Sequence, residues 1–248
     1  MSGPESLASM EGSVHQQSRS KWSRFLSSSI GRKYLSGVTG VALVLFLIVH
    51  LLGNLTLFLP DDGQAFNAYA YKLHSLGPLV IILEIGLLLI ILSHALVGVL
   101  IWIRKRQARP EAYKKYKTVG GASKQTFSSK SMILTGVVMA IFLVVHVGAF
   151  RFGLGAAEYA SVSVDGHDAR DVFSLVRDAF QIEGIVIFYL AVVSLVVFHL
   201  RHGIWSALQS LAAMRPKASP LIYSLAFVFA VLLGLGFFAL PVYLYFAH

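Results

Sequence analysis

Nine histidines are spread along this 248-residue chain, and five of them lie within or at the ends of long apolar runs. His50, His94, His146 and His199 fall on four successive runs, one on each, and His202 follows His199 by three residues. An ionisable side chain inside a bilayer is costly and marks a functional site by default. The plainer reading is a neutral histidine hydrogen-bonded across helices. That reading covers one such residue easily and four in succession much less well. Imidazole is also a ligand for zinc and for haem iron, so the depths of the four rings become the deciding quantity.

The elements that carry them are five apolar segments, each long enough to cross about 30 Å of hydrocarbon. They run over about 34–59, 79–103, 131–152, 185–205 and 221–246. The spacing predicts an all-α integral membrane bundle over 29–248, preceded by a polar tail at 1–28 that is disordered at its start. That tail carries Glu5 and Glu11 and lacks an early apolar stretch, so it does not read as a cleavable signal. Counting from where each segment begins, a rise of about 1.5 Å per residue puts His50 about 24 Å and His146 about 22 Å from the N-terminal side. The second and fourth segments run the other way, and His94 and His199 fall roughly 8–9 Å from that same side. The four histidines therefore sort into two facing pairs, His50 with His146 and His94 with His199, at levels roughly 14 Å apart.

Two histidines facing each other at one depth can take the two axial positions of a haem iron. Two such haems stacked through the bilayer make an electron path across it. Zinc needs its ligands about 2 Å from one ion, which two separated levels do not supply. A relay of protonating histidines has no reason to need two matched levels. His202 rivals His199, but lies about 4.5 Å nearer the membrane face and matches His94 less well. Arg201 and His202 are candidates for contacts to haem propionates, or form a snorkelling pair at the interface. Gly53, Gly98, Gly148 and Gly203 follow the four histidines closely and leave room for a flat macrocycle. Glycine is also common in membrane helices for packing alone. Glu84, near the level of the outer pair, is a candidate proton carrier for a quinone. It reads equally as a protonated acid bonded to a neighbouring helix. His15, His167 and His248 fall in tails or loops and read as bystanders.

Composition agrees with the membrane reading. The chain is 56% hydrophobic and 13% charged, against about 25% charged in a soluble domain. With no cysteine it holds no disulfide, no thiolate-ligated iron–sulfur cluster and no covalently attached haem of the C-x-x-C-H type. The net charge of +9 is a matter of distribution. Of 21 Lys and Arg, 17 lie in the N-terminal region, the 104–130 loop and the fourth-to-fifth connection, and 4 on the other side. The positive-inside rule then places the N-terminus in the cytoplasm and the C-terminus outside. A nucleic-acid partner is not needed to explain the charge. The 153–184 loop is acidic. After Asp168 as a candidate N-cap, Val172, Phe173, Val176, Ala179 and Phe180 recur at helical spacing, which predicts a short helix lying on the outer membrane surface.

Several of these stretches resemble one family. They are Ser29-Ile30-Gly31-Arg32-Lys33-Tyr34 with Gly37-Val38-Thr39-Gly40, then His50-Leu51-Leu52-Gly53-Asn54-Leu55, Phe66-Asn67 with Tyr69-Ala70, Leu83-Glu84-Ile85-Gly86-Leu87-Leu88 with His94-Ala95, and Phe198-His199 with Gly203-Ile204-Trp205-Ser206. Together they are similar to the single-chain di-haem cytochrome b anchor of succinate:menaquinone oxidoreductase or fumarate reductase, the respiratory complex II of bacteria. The resemblance implies two haems b, the same ligand pairing as the depths, and His199 rather than His202 as the fourth-helix ligand. It also implies a quinone site, menaquinone as the quinone, a bacterial cytoplasmic membrane, and two cytoplasmic partners: an FAD subunit and an iron–sulfur subunit. The family's quinone residues vary, so none is carried over. This chain has no flavin or iron–sulfur motif and no succinate-oxidising site of its own. The competing expectations are the cytochrome b anchor of a hydrogenase or formate dehydrogenase, and a haem-free transporter or structural anchor. The direction of catalysis, succinate oxidation or fumarate reduction, is not set by sequence.

Overall fold

Ser28 opens the first long helix by accepting the Gly31 amide on its hydroxyl, one of the orphan donors every helix start must satisfy. The computed structural model describes residues 24–25, 28–108, 127–155, 160–213 and 216–247. The elements are α1 (Ser29–Asn54, continued by a 3-10 turn over Leu55–Phe58), α2 (Gln64–Ser75), α3 (Pro78–Gln107), α4 (Phe127–Phe150), a hairpin of β1 (Ser161–Val164) and β2 (His167–Arg170), α5 (Val172–Phe180), α6 (Glu183–Ser210) and α7 (Ser219–Phe246). Five helices, α1, α3, α4, α6 and α7, are long and apolar enough to span a membrane. Their outward faces carry bare aliphatic side chains such as Val144, Ile82 and Leu96, each more than 60% exposed, as a lipid-facing surface requires.

Four of the long helices form a square. α1 packs on α3 and α6, α4 packs on α6, and α3 and α4 meet along a thinner seam. α1 and α4 are therefore diagonal, as are α3 and α6. α7 lies behind α6 and α1. Ala226, Ala230 and Gly234, spaced four apart, give it a small-residue face, and a Cβ at Gly234 would stand 2.2 Å from Val197 of α6. Gly236 does the same against Leu51 of α1.

The helices overrun the expected apolar segments. α1 starts at Ser29, α3 runs on to Gln107 and α6 to Ser210, all at the end bearing the N-terminus. Hydropathy ends at the first charges, whereas the backbone ladder continues through Arg104, Lys105 and Arg106, whose charge complements the helix C-terminus. The tail at 1–23, residues 109–126 of the basic loop, Arg215, His15 and His248 lie outside the described residues.

The opposite end is capped, and here the sequence expectation needs correction. Residues 153–184 hold a hairpin as well as a helix, and residues 64–75 form a helix the apolar pattern does not mark. Asp168 sits in β2. The N-cap of α5 is Asp171, which accepts from Ser174 N at 3.0 Å. α5 also does not lie free on a lipid surface: Val176 and Phe180 are buried with Leu57, Phe66, Tyr189, Leu240 and Leu244. Buried Asn67 of α2 ties the cap together, donating to Asp171 Oδ1 at 2.8 Å and accepting from Phe173 N at 2.9 Å. Gly63, at φ 79°, lies under the Phe173 ring with no space for a Cβ. Gln181 donates to the Leu244 carbonyl at 2.6 Å, fastening the cap to α7.

Burial alone would raise the pKa of Asp171. Hydrogen bonds from Ser174 and Asn67, with the charge of Arg177, more than offset it and hold the carboxyl below its ordinary value. A folded-state pKa below the unfolded value of about 3.9 contributes stability that is present above that pH and lost as pH falls through the folded value. Hydrogen exchange at Ser174 N–H is therefore expected to accelerate below about pH 4 in the native chain, and Asp171→Asn is expected to abolish that step. Asn67→Ala, which removes one partner of Asp171 and the acceptor of the part-buried Phe173 amide, is expected to cost about 1–3 kcal/mol in thermal unfolding at neutral pH.

Candidate functional site

The square brings the histidines together across its diagonals. His50 of α1 faces His146 of α4 with ring centres 5.8 Å apart and planes at 87°. His94 of α3 faces His199 of α6 at 6.4 Å and 66°. These are the two pairs that helix rise alone assigns. A ring nitrogen binds a metal ion at about 2 Å and its ring centre lies roughly 1 Å further back, so imidazoles on opposite sides of one ion stand with centres roughly 6 Å apart. Both pairs have that spacing.

Each pair is held differently. At the end bearing the N-terminus, His94 Nδ1 lies 3.1 Å from Thr39 Oγ1 of α1, and His199 Nδ1 lies 3.0 Å from Thr135 Oγ1 of α4. At the capped end His146 Nδ1 lies 3.1 Å from the hydroxyl of buried Tyr189 on α6. His50 stacks on Phe46 at 5.4 Å and leans on Phe237 of α7 at 5.9 Å. His146 stacks on Phe142 at 5.3 Å, and Phe150, Tyr189 and Phe180 close over it towards the cap. Three of the four rings thus have Nδ1 engaged by a neighbouring helix, which leaves Nε2 for the facing ring or for a metal between them.

The threonine contacts also set the level of the basic-end pair. Thr39 precedes His50 by eleven residues, and Thr135 precedes His146 by eleven. His94 and His199 therefore lie about 16 Å along the axis from the capped-end pair, slightly more than the expected separation.

Thr39, Thr135, Tyr189, Phe46 and Phe142 escape a reading that looks only for ionisable residues. The signal that finds most of them is an internal repeat. Thr39-Gly40-Val41, Phe46-Leu47 and Val49-His50 recur in register as Thr135-Gly136-Val137, Phe142-Leu143 and Val145-His146. Two of the four glycines expected to make room for a macrocycle have other neighbours: a Cβ on Gly53 would meet the Tyr69 ring at 2.6 Å, and one on Gly148 would meet Leu154 at 3.3 Å. Gly98 and Gly203, one turn beyond His94 and His199, have nothing within 4 Å. Gly40 and Gly136 take the place of the first two, with hypothetical Cβ atoms 3.3 Å from His94 Cε1 and 3.7 Å from His199 Cε1.

Glu84 is not the buried carboxyl that hydropathy suggests. Its side chain is 44% exposed and accepts both Nε (2.7 Å) and a terminal nitrogen (3.2 Å) of Arg151, just beyond α4. The pair bridges the thin α3–α4 seam at the capped end. The hydrogen bonds and charge of Glu84 raise the pKa of Arg151 above its ordinary value. Arg201 donates to Tyr223 on α7 at 2.6 Å and lies over the Tyr223 and Phe227 rings. His202 stands outside both pairs. His167 stacks on Tyr71 in the cap.

Compared with family models, curated proteins and solved structures, the chain has no match.

The two glycines beside the basic-end rings make a paired test. Gly136→Ala is expected to be tolerated, with a gain of up to about 0.5–1 kcal/mol from helix propensity. Gly40→Ala presses on His94 and is expected to forgo that gain. Thermal unfolding of the two variants side by side checks the difference.

Proposed function

We propose that this chain is the membrane anchor and electron-transfer subunit of a succinate:quinone oxidoreductase, with two bis-histidine haems b. The observation that carries the reading is the two diagonal histidine contacts, each at a spacing that fits two imidazoles on one iron, and together on four separate helices of one square. The donor sets fit: His50 and His146 would hold one haem, His94 and His199 the other. When bound, each haem iron supplies a one-electron centre inside the bilayer. The choice of succinate dehydrogenase or fumarate reductase over another dehydrogenase rests on the motif resemblance.

The chain's own residues do the rest. Thr39, Thr135 and Tyr189 orient three of the four rings. The aromatic cluster of Phe142, Phe150, Phe180 and Tyr189 keeps water from the capped-end pair. The basic end, facing the cytoplasm, would receive the iron–sulfur and FAD subunits, which supply the electrons. The capped end would face outward across a bacterial cytoplasmic membrane. Arg201 is engaged by α7 and His202 lies nearer the basic rim, so a propionate role at that rim involves His202 more simply than Arg201. A membrane quinone, menaquinone by the resemblance, would exchange electrons near the capped-end pair, and Glu84 stands on the seam at that end. Its pairing with Arg151 means that proton exchange through Glu84 requires the ion pair to open, which quinone binding against the seam could drive.

Two haems b per chain, both low-spin, are expected in the purified complex. A high-spin spectrum, or a ratio near one, contradicts the reading. Replacing His94 or His199 by Ala is expected to remove one spectral component, and replacing His50 or His146 the other. Loss of the same component from His50 and His94 variants would break the pairing. Glu84→Gln, with both haems retained, is expected to cut succinate:quinone activity while leaving electron transfer from succinate to a soluble dye intact. Near-normal quinone activity would leave Glu84 as a tie across the seam.

A further inference from the structure

Thr39 and Thr135 occupy equivalent places in the two copies of the repeat, and each is buried, at 6% and 3% exposure. A threonine hydroxyl has one hydrogen to give. Thr39 Oγ1 lies 2.7 Å from the Leu35 carbonyl and 3.2 Å from the Ser36 carbonyl, both on its own helix. Thr135 Oγ1 lies 3.1 Å and 3.2 Å from the Ser131 and Met132 carbonyls. On both helices a backbone carbonyl is within reach as the acceptor for that hydrogen, the bond that threonines in apolar helices commonly make. What the hydroxyl then presents to the neighbouring helix is a lone pair. The atom facing it is a histidine Nδ1, at 3.1 Å for His94 and 3.0 Å for His199. With the hydroxyl hydrogen on the backbone, a lone pair facing a ring nitrogen at that distance calls for the proton on Nδ1. Nε2 is then bare in both rings, and bare Nε2 is the form that binds a metal.

We infer that Thr39 and Thr135 are positioning residues that fix the tautomer of His94 and His199 and strengthen both as ligands of the basic-end haem. The inference rests on the reading of that pair as haem ligands. A threonine needed only to fill space could be valine, which has the same shape and no hydroxyl. A histidine needed only to be satisfied could accept a donor as readily as it donates. Twice over, on opposite sides of the pair, a threonine hydroxyl with a backbone acceptor of its own stands against a histidine Nδ1. The glycine following each threonine, Gly40 or Gly136, leaves the ring's Cε1 edge free to come close. The capped-end pair is built differently. His146 meets the phenol of Tyr189, and His50 is held by ring stacking. An Nδ1–H donated to oxygen moves negative charge toward Nε2, which makes a stronger donor and favours oxidised over reduced iron. Removing the acceptor does the opposite.

The test uses the assembled complex, with redox titration of the optical bands and electron paramagnetic resonance of the oxidised haems. Thr39→Val and Thr135→Val are each expected to shift the component lost in His94→Ala to a higher midpoint potential, change its low-spin signature and leave the other component unmoved. Retention of that haem is expected to weaken by about 10–100-fold, the usual consequence of losing an outer partner of a metal-ligating histidine. Thr39→Ser and Thr135→Ser, which keep the oxygen, are expected to restore both potential and signature. If one valine variant fails to assemble, the other reads the same property from the facing ligand. Two haems in the native complex with an unmoved potential in the valine variants overturns the positioning role alone. So does an equal shift in the serine variants. A native complex with no bis-histidine haem overturns both this role and the proposed function.

Discussion

An imidazole in hydrocarbon has two nitrogens and no water to satisfy them, and the arrangement of the long helices follows from where those nitrogens find partners. His94 reaches sideways to Thr39, which sets the register of α3 against α1. His199 reaches sideways to Thr135, which sets α6 against α4. His146 reaches to Tyr189 and fixes α4 against α6 a second time, nearer the cap. The rings themselves meet in pairs across the diagonals. Neighbouring helices are thus matched by hydrogen bonds, and diagonal helices by the ring pairs. In lipid, where burial of apolar surface does little to choose between packings, a few polar contacts of this kind have unusual weight in choosing one.

The two ends of the square are closed to different degrees. At the capped end Phe66, Val176, Phe180, Tyr189, Leu240 and Leu244 form one cluster beneath the hairpin, pinned by Asn67 and Asp171. That lid packs against Phe142 and Phe150, which border His146 of the His50–His146 pair. The flank between α3 and α4 is thinner, and α3 turns most of its surface outward. The Glu84–Arg151 ion pair crosses that seam near its capped end. On the proposed function, the quinone would approach from the side, through this seam, with the charged pair at hand.

Much of this architecture is legible in the chain because bilayer thickness and helix rise are fixed lengths. Five apolar runs and four histidine depths are enough to pair His50 with His146 and His94 with His199. The parts that are not legible have specific causes. α2 and the hairpin are held by Asn67, Asp171 and Gly63, polar or backbone devices with no hydropathy signature. Asp168 and Asp171 look alike as N-caps, and they separate only in the fold, where Asp168 pairs opposite Ser163 in the hairpin and Asp171 accepts from Ser174 N. Glu84 looks buried because its neighbours in sequence are apolar, yet its partner is an arginine 67 positions away. Thr39 and Thr135 pass as ordinary members of apolar helices until the two stretches are laid over one another.

That overlay explains why the two pairs keep their distance. The separation of the levels is written into α1 and α4 as the same eleven residues between threonine and histidine. Three turns of uninterrupted helix are stiff, so about 16 Å is carried by covalent structure rather than by loop conformation. A change that moved α3 along α1 would break the Thr39–His94 contact before it altered the capped-end pair. One that moved α6 along α4 would have to break Thr135–His199 and Tyr189–His146 together. α7 adds a further restraint, since Gly234 and Gly236 let it lie directly on Val197 and Leu51. On the proposed function, electrons would pass between two centres whose separation must not drift, and two parallel rulers, each tied at one end to the other diagonal, hold that separation without any residue between the levels having to be polar.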